Sequence, residues 1–220
     1  MGSTKVALIT PTRGDRPLFK DQYWKIIENQ TRKPDEVIVV DYPPISDKKD
    51  LSARYRKGIK TAEEKGCNIA LLWEDDDWYH PEYIEWILNQ WEKNKYPDVL
   101  GVEETYYYHI KVNKFKHLTH GGRSSAFCCL LKLPYKYSYP HDENIWFDLH
   151  LFKNHAKKHL KTKTVKFNDK IYAIGIKHGT GVTGGVGHNT KFPWDKRNGL
   201  AWLNQHCSDS EIYQHIAQQI

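Results

Sequence analysis

The chain has 220 residues, 39% hydrophobic and 13% aromatic, so it is long enough to bury a real core and too apolar for a disordered polymer. Its 33 lysines and arginines against 27 acidic residues leave a formal net charge of +6, which excludes an acidic solvating chain and admits an anionic partner. No apolar run approaches the roughly 18 residues of a membrane span and the N-terminus has no signal-peptide pattern, so the expectation is a cytoplasmic protein with no transmembrane segment.

The first half alternates strand and helix signals. Val6 to Thr10 is a β-branched run stopped by Pro11, and 17–30 follows as a helix with Leu18, Tyr23, Ile26 and Ile27 on one face. Glu36 to Asp41 is the next strand. Leu51, Tyr55, Ile59 and Ala62 mark a second helix that ends at Gly66. The run 68–73 is a third strand, and 81–94 a third helix with Tyr83, Ile84, Ile87, Leu88 and Trp91 inward. Three βα units in succession predict a mostly parallel sheet of the nucleotide-binding kind.

Beyond residue 97 the pattern turns to strands. Residues 98–110 and 114–118 flank a turn at Val112-Asn113, 124–133 reads as a further strand, and 142–159 returns to helical spacing. A hairpin is expected from 165–167 and 170–177 across Asn168-Asp169. The glycine-rich stretch 178–188 suits no regular element, and 208–220 reads as a short helix. The expected organisation is a first half over 1–97, a second half of the same domain over 98–190, and a C-terminal appendage over 191–220. Cys67, Cys128, Cys129 and Cys207 lack metal-type spacing and are expected to be reduced, structural thiols.

Four acidic residues in a row, Glu74-Asp75-Asp76-Asp77, stand behind the third strand. Carboxylates crowded at the end of a buried strand repel one another unless solvent or a cation neutralises them, so the segment is either a solvated acidic turn or a site for Mn²⁺ or Mg²⁺. Ligands of open α/β sheets bind beyond the carboxyl ends of the strands. The other segments there are Thr10-Pro11-Thr12-Arg13-Gly14 and Asp41-Tyr42, which offer acids for ribose or base and an arginine for phosphate.

Together the opening Val6 to Arg13, the strand Glu36 to Asp41, the segment Ser52-Ala53-Arg54-Tyr55 and Leu71 to Tyr83 resemble the nucleotide-diphospho-sugar transferases of GT-A type, most closely their family-2-like group, over roughly residues 5–95. The resemblance implies an α/β GT-A three-layer fold with a mostly parallel central sheet. It implies a metal-dependent glycosyltransferase moving a hexosyl or pentosyl group from a nucleotide-diphospho-sugar to a hydroxyl acceptor. Donor contacts would fall on Thr10, Pro11, Thr12, Arg13, Asp41, Arg54, Asp75 and Asp76. The DxD acids would be Asp75, near the ribose, and Asp77, on the metal, with Asp75 a further candidate ligand; apart from the resemblance, His178 or His188 of the glycine-rich stretch offers a nitrogen ligand. Glu74 departs from the usual pattern and leaves the DxD register open by one residue.

An inverting reaction needs a base, and Asp142 and Glu143 ahead of a helix resemble the family's acidic pair, with Asp148 in reserve. They equally suit helix N-terminal charges. The basic run 153–166, with Lys157, Lys158 and Lys161 at its centre, is either a solvated face or a docking surface for nucleic acid or an anionic glycopolymer. A modified base in DNA, as in small phage enzymes acting in the host cytoplasm, is compatible with that run. The competing readings are a nucleotidyltransferase, whose glycine- and lysine-rich first loop is poorly matched here, and a catalytically silent sugar- or nucleic-acid-binding domain.

Overall fold

The structure, a computed structural model, describes residues 4–14, 16–42, 49–168, 170–179, 190–191 and 193–220. Strand β1 (Val6–Pro11) leads through a 3₁₀ turn at Pro17–Phe19 into α1 (Lys20–Glu28). The sequence pattern merges that turn with the helix, and Pro17 accounts for the break because it fixes φ and donates no hydrogen bond. Then come β2 (Glu36–Val40), α2 (Leu51–Glu64), β3 (Ile69–Leu72), β4 (Trp78–Tyr79) and α3 (Tyr83–Lys93). Gly66, at φ +71°, takes the left-handed turn just beyond α2.

The second half supplies β5 (Val99–Val102), β6 (Glu104–His109), β7 (Lys114–Thr119) and β8 (Cys129–Lys132). It continues with α4 (Phe147–Phe152), α5 (Asn154–Lys157), β9 (Thr162–Val165), β10 (Ala173–Lys177), α6 (Gly199–His206) and α7 (Ser210–Ala217). The main sheet has the order β2-β1-β3-β8-β5-β9, with β8 alone antiparallel to its neighbours. A second sheet runs β4-β10-β6-β7.

Every residue of β1 and β3 is buried, as in a sheet covered on both faces. Alternation sorts the side chains: Val6 and Leu8 join Tyr23, Ile26 and Tyr83 of α1 and α3, whereas Ala7 and Ile9 join Tyr55 and Ile59 of α2 and Phe147 and Leu151 of α4. The result is three layers, helix on sheet on helix, with a mostly parallel sheet between them.

Three expectations are corrected. The long strand over 98–110 divides at Glu103, because β5 pairs in the main sheet while β6 turns into the second one. The hairpin over 165–177 does not form: β9 lies on the edge of the main sheet beside β5, and β10 pairs with β4 and β6 instead. Gly175 makes the pairing with β6 possible, since a Cβ there would lie 2.5 Å from the ring of Tyr107. The helix over 142–159 is cut to α4 and α5, with 142–143 in a turn ahead of it. β4 and α6 are additions to the predicted elements. Pro43, Pro44 and the stretch 180–189, which holds His188, lie outside the described residues.

The C-terminal residues pack into the body of the molecule. Leu203, Cys207, Tyr213 and Ile216 belong to the same buried cluster as β1, β3 and α3. All four cysteines are free and buried.

Candidate active site

The loops behind β1 and β2 are tied together by one residue. Arg54, 1% exposed on α2, donates through Nη1 to the carbonyls of Thr12 (2.6 Å) and Val40 (2.9 Å) and through Nη2 to Asp50 Oδ2 (2.8 Å). Its guanidinium also lies 4.2 Å from the centre of the Tyr42 ring. The resemblance puts Arg54 at the nucleotide, but its Nη1 and Nη2 donors go to the protein, where they set the spacing between the two loops. Thr10 is buried and its hydroxyl accepts from Tyr23 Oη at 2.9 Å. Thr12 is half-buried and Asp41 exposed at the end of β2. Arg13 Nη1 lies 4.0 Å from Asp50 Oδ1, which leaves it beside the same clamp.

The acidic segment sits between β3 and β4, held by aromatic packing on both sides. Trp73 stacks on Tyr79 at 3.6 Å, and the Glu74 N–H donates to Tyr79 Oη at 2.9 Å. The buried Trp78 donates its indole N–H to Asp209 at 3.0 Å, so the chain just before α7 braces the acids from behind. Each carboxylate meets a different environment. Asp75 pairs with Arg16 Nη2 at 2.5 Å. Asp76 receives Arg16 Nη1 at 2.5 Å and His178 Nε2 at 2.8 Å on the same oxygen, Oδ2. Asp77 Oδ1 accepts the backbone N–H of Ile176 on β10 at 2.7 Å, with Lys177 Nζ 4.0 Å away.

Glu74, Asp76 and Asp77 bring carboxylate oxygens within 4.8 Å of one another. Asp76 Oδ1 and Asp77 Oδ2 are buried with no hydrogen-bond partner among the described residues. The converging set therefore differs from the expected Asp75, Asp77 and His178. Asp75 turns to Arg16, His178 holds Asp76 from the side, and Glu74, which the DxD pattern leaves outside, joins the cluster. Buried carboxylate oxygens facing one another without donors are costly unless a cation meets them, and an all-oxygen set suits Mg²⁺ or Mn²⁺. The residues present fit such an ion.

The electrostatics follow from burial. Desolvation and the neighbouring Asp76 charge push the Glu74 carboxyl up to about 7. Burial also raises Asp75, against the pull of Arg16, and raises Asp77 well above the usual range, against Lys177. Asp76 is the exception. Burial works upward on it too, but Arg16, the His178 hydrogen bond and Lys177 together hold it below its ordinary value. Burial pulls Lys177 down while Asp77 and Tyr107 more than restore it, and its ammonium lies 4.9 Å from the Tyr107 ring centre.

The acidic pair expected as base separates from its reserve. Asp142, on the turn, is gripped by Arg56 through contacts of 2.6 and 2.8 Å, and Glu143 is exposed beside it. Asp148 stands half-buried in the first turn of α4, and burial lifts its carboxyl to about 6. The buried Tyr55 phenol is pushed up first by burial and also by the charges of Glu74, Asp148 and Asp77. Lys157, Lys158 and Lys161 are all exposed. A groove of about 520 Å³ is lined by Lys157, Lys161, Lys163, Thr162, Thr164 and Gly122, leaving Lys158 outside it. Arg123, next to Gly122 of the groove, draws the Asp148 carboxyl down against the upward push of burial.

Arg16 and Lys177 are site residues that sequence reasoning missed. Arg16 shares the basic loop of Arg13, but its partners are about 60 residues away, and Lys177 ends a strand with no local sign of an acid opposite.

No protein-family model matches the chain and no curated protein sequence matches it. Solved structures do. TarS of S. aureus, residues 1–349 in complex with UDP, aligns with TM-score 0.52 at 15% identity over 78% of this chain and 60% of that one. A longer TarS structure aligns with TM-score 0.50 at 14% identity, covering 78% of this chain and 36% of TarS. A197 from STIV gives TM-score 0.49 at 14% identity, over 74% and 82%. The likeness to TarS shows the fold: the chain has the GT-A architecture. It spans less than two thirds of either TarS chain. No helix among the described residues is long and apolar enough to cross a membrane.

Proposed function

We propose that the chain is a metal-dependent glycosyltransferase that moves a sugar from a nucleotide-diphospho-sugar to a hydroxyl acceptor. The observation that carries this reading is the Glu74, Asp76 and Asp77 cluster at the carboxyl end of β3, with two buried carboxylate oxygens lacking donors, on a GT-A scaffold. Mn²⁺ or Mg²⁺ held by these three acids would supply Lewis-acid stabilisation of the departing diphosphate.

The rest of the work belongs to the chain. Thr12, Arg13 and Asp41 line the nucleoside side, with the buried Thr10 and Pro11 beneath them, on loops whose spacing Arg54 sets. Asp75 and Asp76 hold Arg16 toward the same opening. Asp148 takes the proton from the attacking hydroxyl, because a carboxyl near pKa 6 is ionised at neutral pH yet more basic than an ordinary aspartate. Asp142 and Glu143 then shape the approach, Asp142 by orienting Arg56. A single proton-accepting carboxylate of this kind implies inversion at the anomeric carbon.

The lysine groove beside Arg123 favours an acceptor with negative charge, for which DNA bearing hydroxymethylated bases is the first polymer to try. UDP is the first donor nucleotide to try, since the TarS fold neighbour was solved with it. The test is a panel of nucleotide-sugars with Mn²⁺, Mg²⁺ or EDTA. Metal-dependent release of nucleoside diphosphate supports transfer of a sugar. Pyrophosphate release from a nucleoside triphosphate and a sugar phosphate would mark nucleotidyl transfer, and binding without either product a silent domain.

A further inference from the structure

Arg16 spans two carboxylates at once. Its two terminal nitrogens lie 2.5 Å from Asp75 Oδ1 and 2.5 Å from Asp76 Oδ2. Asp76 is thereby held on Oδ2 by both Arg16 and His178, while its Oδ1 is buried with no hydrogen-bond partner among the described residues, and Asp76 is one of the three acids of the metal-type cluster. A divalent ion taking up that cluster would draw charge from the same carboxylate that anchors Arg16. The two cations are therefore competitors for the charge of Asp76.

Glu74, Asp75, Asp76 and Asp77 carry four negative charges when ionised, and Arg16 and Lys177 carry two positive ones. A divalent ion completes the balance, so an arriving diphosphate finds no surplus positive charge unless one organic cation turns to it. Lys177 is confined, 8% exposed, between Asp77 and the Tyr107 ring. Arg16 is the more accessible of the two, on the loop between β1 and α1 with 16% of its side chain exposed. The guanidinium fork that matches two carboxylate oxygens matches two phosphate oxygens equally well.

We propose that Arg16 is an exchange residue: it locks the acid cluster when no metal is bound and clamps the donor's diphosphate once metal has displaced it. This rests on the nucleotide-sugar reading above. It makes Arg16 a diphosphate ligand and predicts that metal and nucleotide bind with positive coupling through it.

The experiment is calorimetry on the full chain and on R16Q and R16K, titrating Mn²⁺ alone and then UDP at saturating Mn²⁺. For R16Q the expected result is Mn²⁺ binding about tenfold tighter and UDP binding about tenfold weaker, the scale of ordinary site coupling. R16K, which keeps the charge and loses the fork, should fall between. Circular dichroism checks the fold, and should R16Q fail to fold, R16K carries the same two readouts. Wild-type affinities for both ligands in the variants, or weakening of both, would overturn the exchange and leave the donor reading standing. A wild-type chain that binds Mn²⁺ but no UDP, or neither, would overturn the donor reading and this inference with it.

Discussion

The two sides of the proposed site are built in opposite ways. The acids behind β3 are half-buried or buried and held from several directions: β4, β10 and the loop of Arg16 meet them, and the chain ahead of α7 holds the adjoining Trp78. The acceptor side is made of a turn, a short helix and exposed lysines, and Asp142 answers to a single arginine. Burial is what separates them. Desolvation makes charge on the donor side expensive, so Asp75, Asp76 and Asp77 each take a defined partner and the oxygens left over suit a cation, whereas on the acceptor side solvent screens the exposed charges and leaves their geometry loosely specified.

The contrast breaks most sharply at Asp77. Asp77→Asn should abolish Mn²⁺ binding and lower transfer by at least about a hundredfold, while the metal-free melting temperature holds or rises. The sign follows from burial. Glu74 and Asp77 have native carboxyls raised above their ordinary values of 4.5 and 3.8, so the native state keeps protons that the unfolded chain releases. Metal-free stability should therefore fall as pH rises from about 4.5 through about 7, and the amide should flatten part of that slope. Melting curves across pH in EDTA measure it, and a wild-type curve that rises over this window would contradict the raised carboxyls.

Asp148→Asn should reduce turnover by roughly 10²–10⁴ with UDP affinity unchanged, because proton removal matters only in the transition state. In the wild type the rate should rise with pH through about 6, as the Asp148 carboxyl ionises, and level off above it. Equal losses in Asp142→Asn or Glu143→Gln, with Asp148→Asn active, would return the base to the turn.

Arg54→Ala tests the clamp by stability rather than by chemistry. Removing a buried guanidinium takes the hydrogen bonds from Asp50 Oδ2 and from the Thr12 carbonyl and one of the two on the Val40 carbonyl, at a cost of about 3–5 kcal/mol by urea unfolding. A loss below about 1 kcal/mol, with UDP binding gone, would place Arg54 at the ligand as the sequence pattern implies.

The smallest effect is expected in the groove. Replacing Lys157, Lys161 and Lys163 by alanine should leave donor hydrolysis unchanged and flatten the salt dependence of acceptor binding, by a slope of about 0.9 for each duplex phosphate that the variant no longer neutralises. Lys158→Ala, outside the groove, should change little. An unaltered slope in the triple variant would make the whole run a solvated face.

How far the sequence reached can be seen residue by residue. The apolar runs of β1 and β3 and the helical spacing of α2 and α3 announce three βα units because each face must be buried, and burial imposes its period locally. The acids after β3 are equally visible, as four neighbours in a row. What local pattern does not carry is pairing over distance. β6 and β10 meet in parallel across some seventy residues, which overrides the hairpin that Asn168-Asp169 suggests. Trp78-Tyr79 reads as the approach to a helix until β10 arrives to make it a strand.

For the site the division is the same. By itself the sequence determined that carboxylates crowd the carboxyl end of a buried strand, that Thr10 to Arg13 and Asp41 end its neighbours, and that a basic run follows the fourth helix. Tertiary structure decided which acids face one another and which are paired off: Glu74, Asp76 and Asp77 converge, Asp75 goes to Arg16, and Arg54 turns inward to the loops. The physical reason is that a side chain's type is local, but its desolvation and its counter-charge are supplied by whatever the fold packs against it.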